Sequence, residues 1–243
     1  MNIVLFEKSE VAVPLPRTDH RAEHILRVLR RSAGDDFDVG MINGPRGKAT
    51  LRATTPSHLE LGFAWAKPHA APACTALAVG FPRPQTARDI LRDATSLGAT
   101  ELSFVRTHRS DANYAKSSLW QNNEWRRHLI TGAAQAFDTF VPPTNWHQSL
   151  AESLTAWQST GHQLIALDVY GDHPHLGSWT LPRAAQSCAL LIGPERGWDA
   201  ADRIVLKAAG VTWFNLGPRV LRTETAVVSG LTLINAARAR SGK

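Results

Sequence analysis

The sequence has only two cysteines among its 243 residues, and this scarcity limits the chemistry that the chain can carry. Cys74 and Cys188 stand far apart inside apolar runs, and they form neither a CxxC pair nor a spacing typical of metal ligands. Buried, reduced thiols are the interpretation that this pattern favours, which is consistent with a cytoplasmic protein. We therefore expect no metal site.

Targeting signals and membrane spans are also missing. The first ten residues, MNIVLFEKSE, contain no basic leader and no long apolar stretch, so no signal peptide is predicted. No apolar run approaches the roughly 20 residues that a helix needs to cross a bilayer. We expect no membrane partner.

Several nucleotide and hydrolase motifs are absent. There is no GxGxxG after the first predicted strand and no GxxxxGK[ST], so the usual dinucleotide-binding and P-loop folds lack support. The ten histidines are scattered and no serine lies in GxSxG, which argues against Ser-His-Asp hydrolysis.

Lysine is scarce as well, although the chain is basic. The formal net charge is +6, and 21 of the 27 basic residues are arginine. Arginine binds phosphate through two parallel hydrogen bonds and stacks on bases, so this bias suits a nucleic-acid partner. A GC-rich genome would produce the same bias, and composition does not separate the two explanations.

The chain divides at a proline-rich segment. Residues 1–70 contain several short strands with turn residues between them, interrupted by one helix, AEHILRVLRRSAG, for which Gly34 is the predicted C-cap. This pattern predicts a small β-barrel. The segment Lys67–Ala73 is the predicted linker.

From residue 73 onward the pattern changes to strands alternating with helices. CTALAVGF, ELSFVRT, HQLIALDVY, SCALLIG and VTWFNLG are predicted strands, and helices separate most of them. Asp199 is the predicted N-cap of the helix DAADRIVLKAAG. Such alternation is typical of a mostly parallel α/β sheet, which predicts a second domain over residues 73–243.

Two glycine-containing loops follow strands in this second domain. They are LLIGPERGW and FNLGPRVLRTETA, and each precedes a predicted helix. In parallel α/β sheets ligands bind beyond the carboxyl ends of the strands, where glycine lets the backbone approach a ligand. The loops predict a pocket built from main chain, with Glu195, Arg222 and Glu224 near it. The alternative is that Gly193-Pro194 and Gly217-Pro218 are merely turns.

The paired loops resemble the signature of the 16S ribosomal RNA uridine-N3 methyltransferases, which belong to the SPOUT superfamily. The usual pattern is IGPEGG followed by LGxRILRxETA, and the second element matches almost completely. HILRVLR resembles an element that the family carries in a barrel like the PUA RNA-binding domain. The resemblance extends over nearly the whole chain. It implies a PUA-like barrel over 1–70, a SPOUT domain with a trefoil knot over 73–243, and a homodimer.

The resemblance also implies a cofactor, a substrate and site residues. The cofactor is S-adenosylmethionine and the partner is 16S RNA or the small ribosomal subunit. The expected catalytic residues are Arg222, to stabilise negative charge on the uracil ring, and Glu224, to accept its proton. The expected cofactor-binding residues are Leu167, Ile192, Gly193, Gly197, Leu216, Gly217, Pro218 and Leu221. The expected RNA-binding residues are His24, Arg27, Arg30, Arg109 and Arg196. Arg27 and Arg30 lie three positions apart on the predicted helix and share a face, which either contacts phosphate or is a solvated face of that helix. For His24 the alternative is packing.

Some positions depart from the family pattern or keep alternatives open. Arg196 replaces the first glycine of the GPEGG pair. There are two alternative functions. The protein is either an RNA-binding protein whose methyltransferase domain is inactive, or an enzyme for small molecules that uses the same pocket. Salt bridging with Glu224 is the alternative role of Arg222. Trp120, Trp125 and Trp146 are candidates either for stacking on bases or for packing in the core or a dimer interface.

Overall fold

The computed structural model describes residues 3–67, 73–111, 113–180 and 187–241. It shows a mixed α/β fold with two compact units. One unit comprises Met1–Ala71 and Ala133–Val141, and the other comprises Pro72–Gly132 and Pro142–Lys243. Most of the predicted linker, residues 68–72, lies outside the described residues.

The first unit is built on a five-stranded sheet with the order β1-β3-β4-β5-β2. The pair β1 and β3 is parallel, and the other pairs are antiparallel. Phe6, Ile25, Val39, Leu51 and Leu59 are buried together in its core. The strands are β1 Val4–Phe6, β2 Leu15–Pro16, β3 Asp36–Met41, β4 Arg46–Thr54 and β5 His58–Trp65.

The helix of the first unit is shorter than the sequence predicts. It begins as α1, His20–Glu23, capped by the Asp19 side chain, and continues as a π-helical turn, His24–Val28. Arg30 already has a positive φ of 54°, so the prediction that Arg27 and Arg30 share a helix face is wrong. The predicted C-cap, Gly34, instead donates its N–H to the Leu51 carbonyl at 2.8 Å.

The second unit contains a six-stranded sheet with the order β11-β9-β10-β6-β7-β8, and all its strand pairs are parallel. This agrees with the predicted strand and helix alternation. Its strands are β6 Thr75–Gly80, β7 Glu101–Val105, β8 Thr144–His147, β9 Gln163–Leu167, β10 Cys188–Ile192 and β11 Thr212–Phe214. Its helices are α2 Pro84–Ser96, α3 Ser118–Gln121, α4 Glu124–Gln135, α5 Leu150–Ser159, α6 Ala200–Ala208 and α7 Thr223–Arg240, and the last turn of α4, from Ala133, is assigned to the first unit.

Three strands of this sheet end side by side. Leu167, the last residue of β9, lies opposite Ile192 of β10 on one side and Phe214 of β11 on the other. Every residue of β10 is buried, so the strand ends are fixed within the core. The loops that follow these strands therefore leave the sheet at neighbouring points.

Within the described residues, no helix is both long enough and apolar enough to span a membrane.

Candidate active site

A cavity of about 280 Å³ lies in the second unit at the carboxyl ends of β9, β10 and β11. It combines segments that are far apart in the sequence, as the position of parallel strand ends predicts. Seven of the eight expected cofactor-binding residues line it: Leu167, Ile192, Gly193, Gly197, Leu216, Gly217 and Leu221. Pro218 is exposed and does not line the cavity.

The loop after β10 folds back on itself at its glycines. The N–H of Gly197 donates to the Pro194 carbonyl at 2.7 Å, and Gly197 has a φ of 66°, a conformation that glycine adopts without strain. A Cβ added to Gly193 would lie only 3.0 Å from the Gly197 carbonyl carbon. Both glycines are therefore needed for this turn.

Arg196 is accommodated without loss of the turn. Its side chain is exposed, and its main-chain carbonyl accepts a hydrogen bond from Arg109 Nη1 at 2.7 Å. The structure therefore brings together two of the expected RNA-binding residues beside the cavity. Glu195 Oε1 accepts from the main-chain N–H of Arg83, at the start of α2, at 2.7 Å.

The loop after β11 begins with a second fixed turn. The N–H of Gly217 donates to Asn215 Oδ1 at 2.9 Å, and Gly217 has a φ of 100°. A Cβ at Gly217 would meet nothing within 4 Å, so the backbone conformation alone explains the glycine. Leu216 and Leu221 line the cavity from either end of this loop.

Asp168 and Tyr170 also line the cavity, although they are not among the residues predicted from the sequence. The Asp168 carboxylate is nearly buried and accepts from Arg203 Nε at 2.8 Å and from the Tyr170 N–H at 3.1 Å. Both could have been identified as site residues from the sequence, because they closely follow the apolar strand that ends at Leu167.

The expected catalytic pair lies at the N-terminus of α7. Arg222 occupies the N-cap position between Leu221 and Thr223, which both line the cavity. Its side chain is 87% exposed, and Nη1 is 4.0 Å from Glu224 Oε1 in the first helical turn. Neither Arg222 nor Glu224 itself lines the cavity.

The other expected RNA-binding residues lie in the first unit. His24 is half-buried at the start of the π-helical turn, and Arg30 is exposed. Arg27 is exposed and its Nη1 contacts Glu23 Oε1 at 3.1 Å, an ion pair of little energetic value at such exposure.

One group of ligand-type side chains occurs in the described part of the chain, formed by His108, Asp199 and Asp202. Asp199 caps α6 by accepting from the Asp202 N–H at 2.7 Å, and Asp202 accepts in return from the Asp199 N–H, as the predicted N-cap requires. The Asp202 N–H and the His108 charge hold the pKa of Asp199 below its usual value. These contacts are those of a helix cap.

A family model described as RNA methyltransferase domain matches residues 69–235. The match covers more than half of the chain, so the chain belongs to this family of RNA methyltransferases. Its relatives confirm the narrower family that the two glycine loops indicated. The chain is 34% identical over 242 residues to ribosomal RNA small subunit methyltransferase E of Treponema pallidum, covering 96% of this chain and 90% of that protein. It is 24% identical over 231 residues to ribosomal RNA small subunit methyltransferase E 1 of Borreliella burgdorferi, covering 94% and 95%.

A solved structure shares the fold. The ribosomal RNA small subunit methyltransferase E of Neisseria gonorrhoeae, bound to S-adenosyl methionine, superimposes with a TM-score of 0.79. The two chains are 21% identical, and the match covers 96% of this chain and 97% of that one.

Proposed function

We propose that this protein is an S-adenosylmethionine-dependent methyltransferase that modifies N3 of a uridine in the 16S RNA of the small ribosomal subunit, and that it works as a cytoplasmic homodimer. The observation that carries the proposal is the cavity between the two glycine loops. The name of the Treponema pallidum relative, at 34% identity, supports small-subunit ribosomal RNA as the substrate.

The lining of this cavity fits the proposed cofactor. Apolar walls from Leu167, Ile192, Leu216 and Leu221 suit the adenine ring. S-adenosylmethionine also carries both signs of charge, and residues of both signs line the cavity, namely Asp168, Glu195, Arg196 and Arg219. When bound, the cofactor supplies an electrophilic methyl group on its sulfonium.

Arg222 is assigned the charge-stabilising role. Removal of the N3 proton places negative charge on the uracil carbonyl oxygens, and a guanidinium beside them stabilises that charge as it develops. The position of Arg222 at the start of α7, next to cavity-lining residues, supports this role. The contact with Glu224 is 4.0 Å long and Arg222 is exposed, so a salt bridge between them contributes little to stability. The salt bridge alone therefore does not explain why an arginine stands at this position.

Glu224 is assigned the role of proton acceptor. Its side chain is 24% exposed and lies in the first turn of α7 beside Arg222. The carboxylate takes the N3 proton directly or through one water. N3 would then be free to accept the methyl group, whose bond to the sulfonium sulfur would break and leave a neutral thioether.

The first unit is proposed to be a PUA-like barrel that binds RNA, and the second unit to contain the trefoil knot of the SPOUT family. The five-stranded sheet of short strands in the first unit supports the barrel. His24, Arg27 and Arg30 on that unit and Arg109 and Arg196 beside the cavity are the proposed RNA contacts.

Methyl transfer to ribosomal RNA tests the proposal. Purified protein is incubated with labelled S-adenosylmethionine and with small subunits or 16S RNA from a strain that lacks the gene, and the nucleosides are analysed by mass spectrometry. We expect a single labelled 3-methyluridine. RNA binding without methyl transfer to either substrate would instead support an inactive RNA-binding protein.

A further inference from the structure

A second cavity, of about 700 Å³, lies in the second unit, and none of the described residues lines both cavities. Its wall is aromatic: Phe81, Trp120, Trp125 and Trp146 all line it. The Trp146 ring lies 5.8 Å from the Trp120 ring and 5.1 Å from the Trp125 ring, both in edge-to-face arrangements. The volume falls in the usual range for small-ligand sites.

Trp146 leaves aromatic surface open to solvent. It is 38% exposed although it contacts two other indoles, so the cluster is not closed as a core would be. An exposed aromatic platform of this kind accepts a planar base, because every nucleobase has a π-face that stacks on it.

Trp120 carries an unused hydrogen-bond donor. Its Nε1 is buried and has no hydrogen-bond partner in the part of the chain that the structure describes. An indole N–H only donates, and leaving a buried donor unpaired is costly, so the unpaired donor of this cavity-lining residue suits a ligand that brings an acceptor. Carbonyl oxygens on the edge of a pyrimidine or guanine base are acceptors of this type.

The polar lining of the cavity suits phosphate. Arg106 and Lys116 are exposed lining residues, and neither forms an ion pair with a carboxylate of the described residues. The acidic lining residue Asp111 accepts from the Asn113 N–H at 2.9 Å through its Oδ1. Two cations beside an aromatic cavity are the combination that binds single-stranded RNA.

We propose that this aromatic cavity binds one unstacked base of single-stranded RNA, outside the methyl-transfer site, and so holds the substrate strand near its target. The base stacks on Trp146, a base carbonyl accepts from Trp120 Nε1, and Arg106 and Lys116 contact the flanking phosphates. The inference rests on the proposed function only in taking RNA as the substrate.

The direct test follows the indole N–H signals of the full-length protein by NMR, with Trp120 assigned by its absence from Trp120→Phe. Hexauridylate is the probe, and an abasic ribose-phosphate oligomer of equal length is the control for phosphate binding. We expect hexauridylate to shift the Trp120 indole signal and the abasic oligomer to leave it in place. If the Trp120 indole signal does not shift at a saturating concentration of hexauridylate, the proposal is overturned.

Variants separate stacking from charge. Trp146→Ala should weaken hexauridylate binding about tenfold or more, whereas Trp146→Phe should retain most of the affinity. Lys116→Ala should reduce the slope of log affinity against log salt concentration by about one, the contribution of one phosphate contact. The matched controls are Trp213→Ala and Lys207→Ala, at positions of the same unit that line neither cavity, and both should bind hexauridylate as the parental protein does.

Two further measurements keep the outcomes distinct. S-adenosylmethionine affinity shows that each variant is folded, and sedimentation shows its oligomeric state. If Trp146→Ala changes the oligomeric state and keeps its RNA affinity, the cavity is a packing surface between protein chains and the proposal fails. If the parental protein methylates ribosomal RNA but the cavity binds no base, only this inference fails. If the cavity binds the base but no methyl transfer occurs, only the proposed function fails.

Discussion

The indole Nε1 of Trp198 donates a hydrogen bond of 3.0 Å to the main-chain carbonyl of Leu167, and both residues line the proposed cofactor cavity. Trp198 is almost fully buried, so this bond forms away from competing water. It attaches the loop after β10 to the end of β9. The relative positions of two cavity walls therefore depend on one side chain.

Trp198→Phe should weaken S-adenosylmethionine binding about tenfold, because the Leu167 carbonyl loses its donor and the loop after β10 loses its attachment. The cost to folding should be about 1–3 kcal/mol, the usual range for an unpaired buried polar group. Calorimetry and thermal unfolding measure the two effects. Trp157→Phe is the control, because Trp157 is equally buried, donates to Glu101 at 3.3 Å and does not line the cavity. Equal loss of cofactor affinity in both variants would contradict the specific role of Trp198.

Ala226→Leu should block the cavity with little disturbance of the fold. Ala226 lines the cavity from the first turns of α7, and leucine is a good helix former at such a position. We expect cofactor binding to be lost in calorimetry. Ala239→Leu, at an exposed position of the same helix, should bind normally. Gly217 is a less suitable probe, because its φ of 100° means that any side chain strains the backbone. Normal binding by Ala226→Leu would place the cofactor elsewhere.

The first unit should lose stability in acid through Arg21. The guanidinium of Arg21 contacts Glu10 and Asp19 at 2.7 Å each, and these hydrogen bonds hold the pKa of both carboxyl groups below their ordinary values of 4.5 and 3.8. A carboxyl group with a lowered folded-state pKa stabilises the protein above its unfolded-state pKa. That stability is lost as the pH falls through the lower folded-state pKa.

Hydrogen exchange of the β4 amides measures this effect, with protection compared between about pH 3 and about pH 6.5 and corrected for the intrinsic exchange rates. Arg21→Gln should lower protection at the higher pH by about 2 kcal/mol and should flatten the pH dependence. Arg17→Gln, at an exposed position of the same unit, should do neither. An unchanged pH profile in Arg21→Gln would mean that other carboxyl groups determine acid stability.

The parts of the fold that the sequence predicted are those with local signals. Asp199 is followed by the helix that it caps, and the apolar runs ending at Leu167 and Ile192 are buried parallel strands. The strand β8, Thr144–His147, was missed because Pro142-Pro143 signals a break and the four residues after it have no apolar run. The π-helical turn at His24–Val28 follows from hydrogen bonds that leave no periodicity in the sequence.

Long-range contacts were not predictable. Residues 133–141 belong to the first unit because Thr139 Oγ1 donates to the Gly44 carbonyl at 2.6 Å and the Val141 N–H donates to Asn43 Oδ1 at 2.9 Å. These partners are almost a hundred positions apart. The same limit applies to the aromatic cavity, since the sequence shows tryptophans but not that Trp120 and Trp146 meet with an indole N–H left unpaired.

Arg222→Lys should separate catalysis from binding. Lysine keeps the positive charge but lacks the planar fork that contacts two oxygens at once, so a role on the uracil carbonyl oxygens would not survive the change. Loss of one well-placed electrostatic donor costs about a hundredfold in turnover, or about 3 kcal/mol. Single-turnover methylation should therefore fall by that amount, with nearly normal affinity for S-adenosylmethionine and RNA.

The matched control is Arg240→Lys, an exposed arginine in the last turn of the same helix, which should methylate at the parental rate. Because Arg222 is 87% exposed, its replacement should leave the folding stability unchanged. A loss of rate in proportion to a loss of cofactor affinity would make Arg222 a binding residue of the ground state. Full activity of Arg222→Lys would contradict the proposed contact of its planar guanidinium with the uracil carbonyl oxygens, because lysine cannot form that contact.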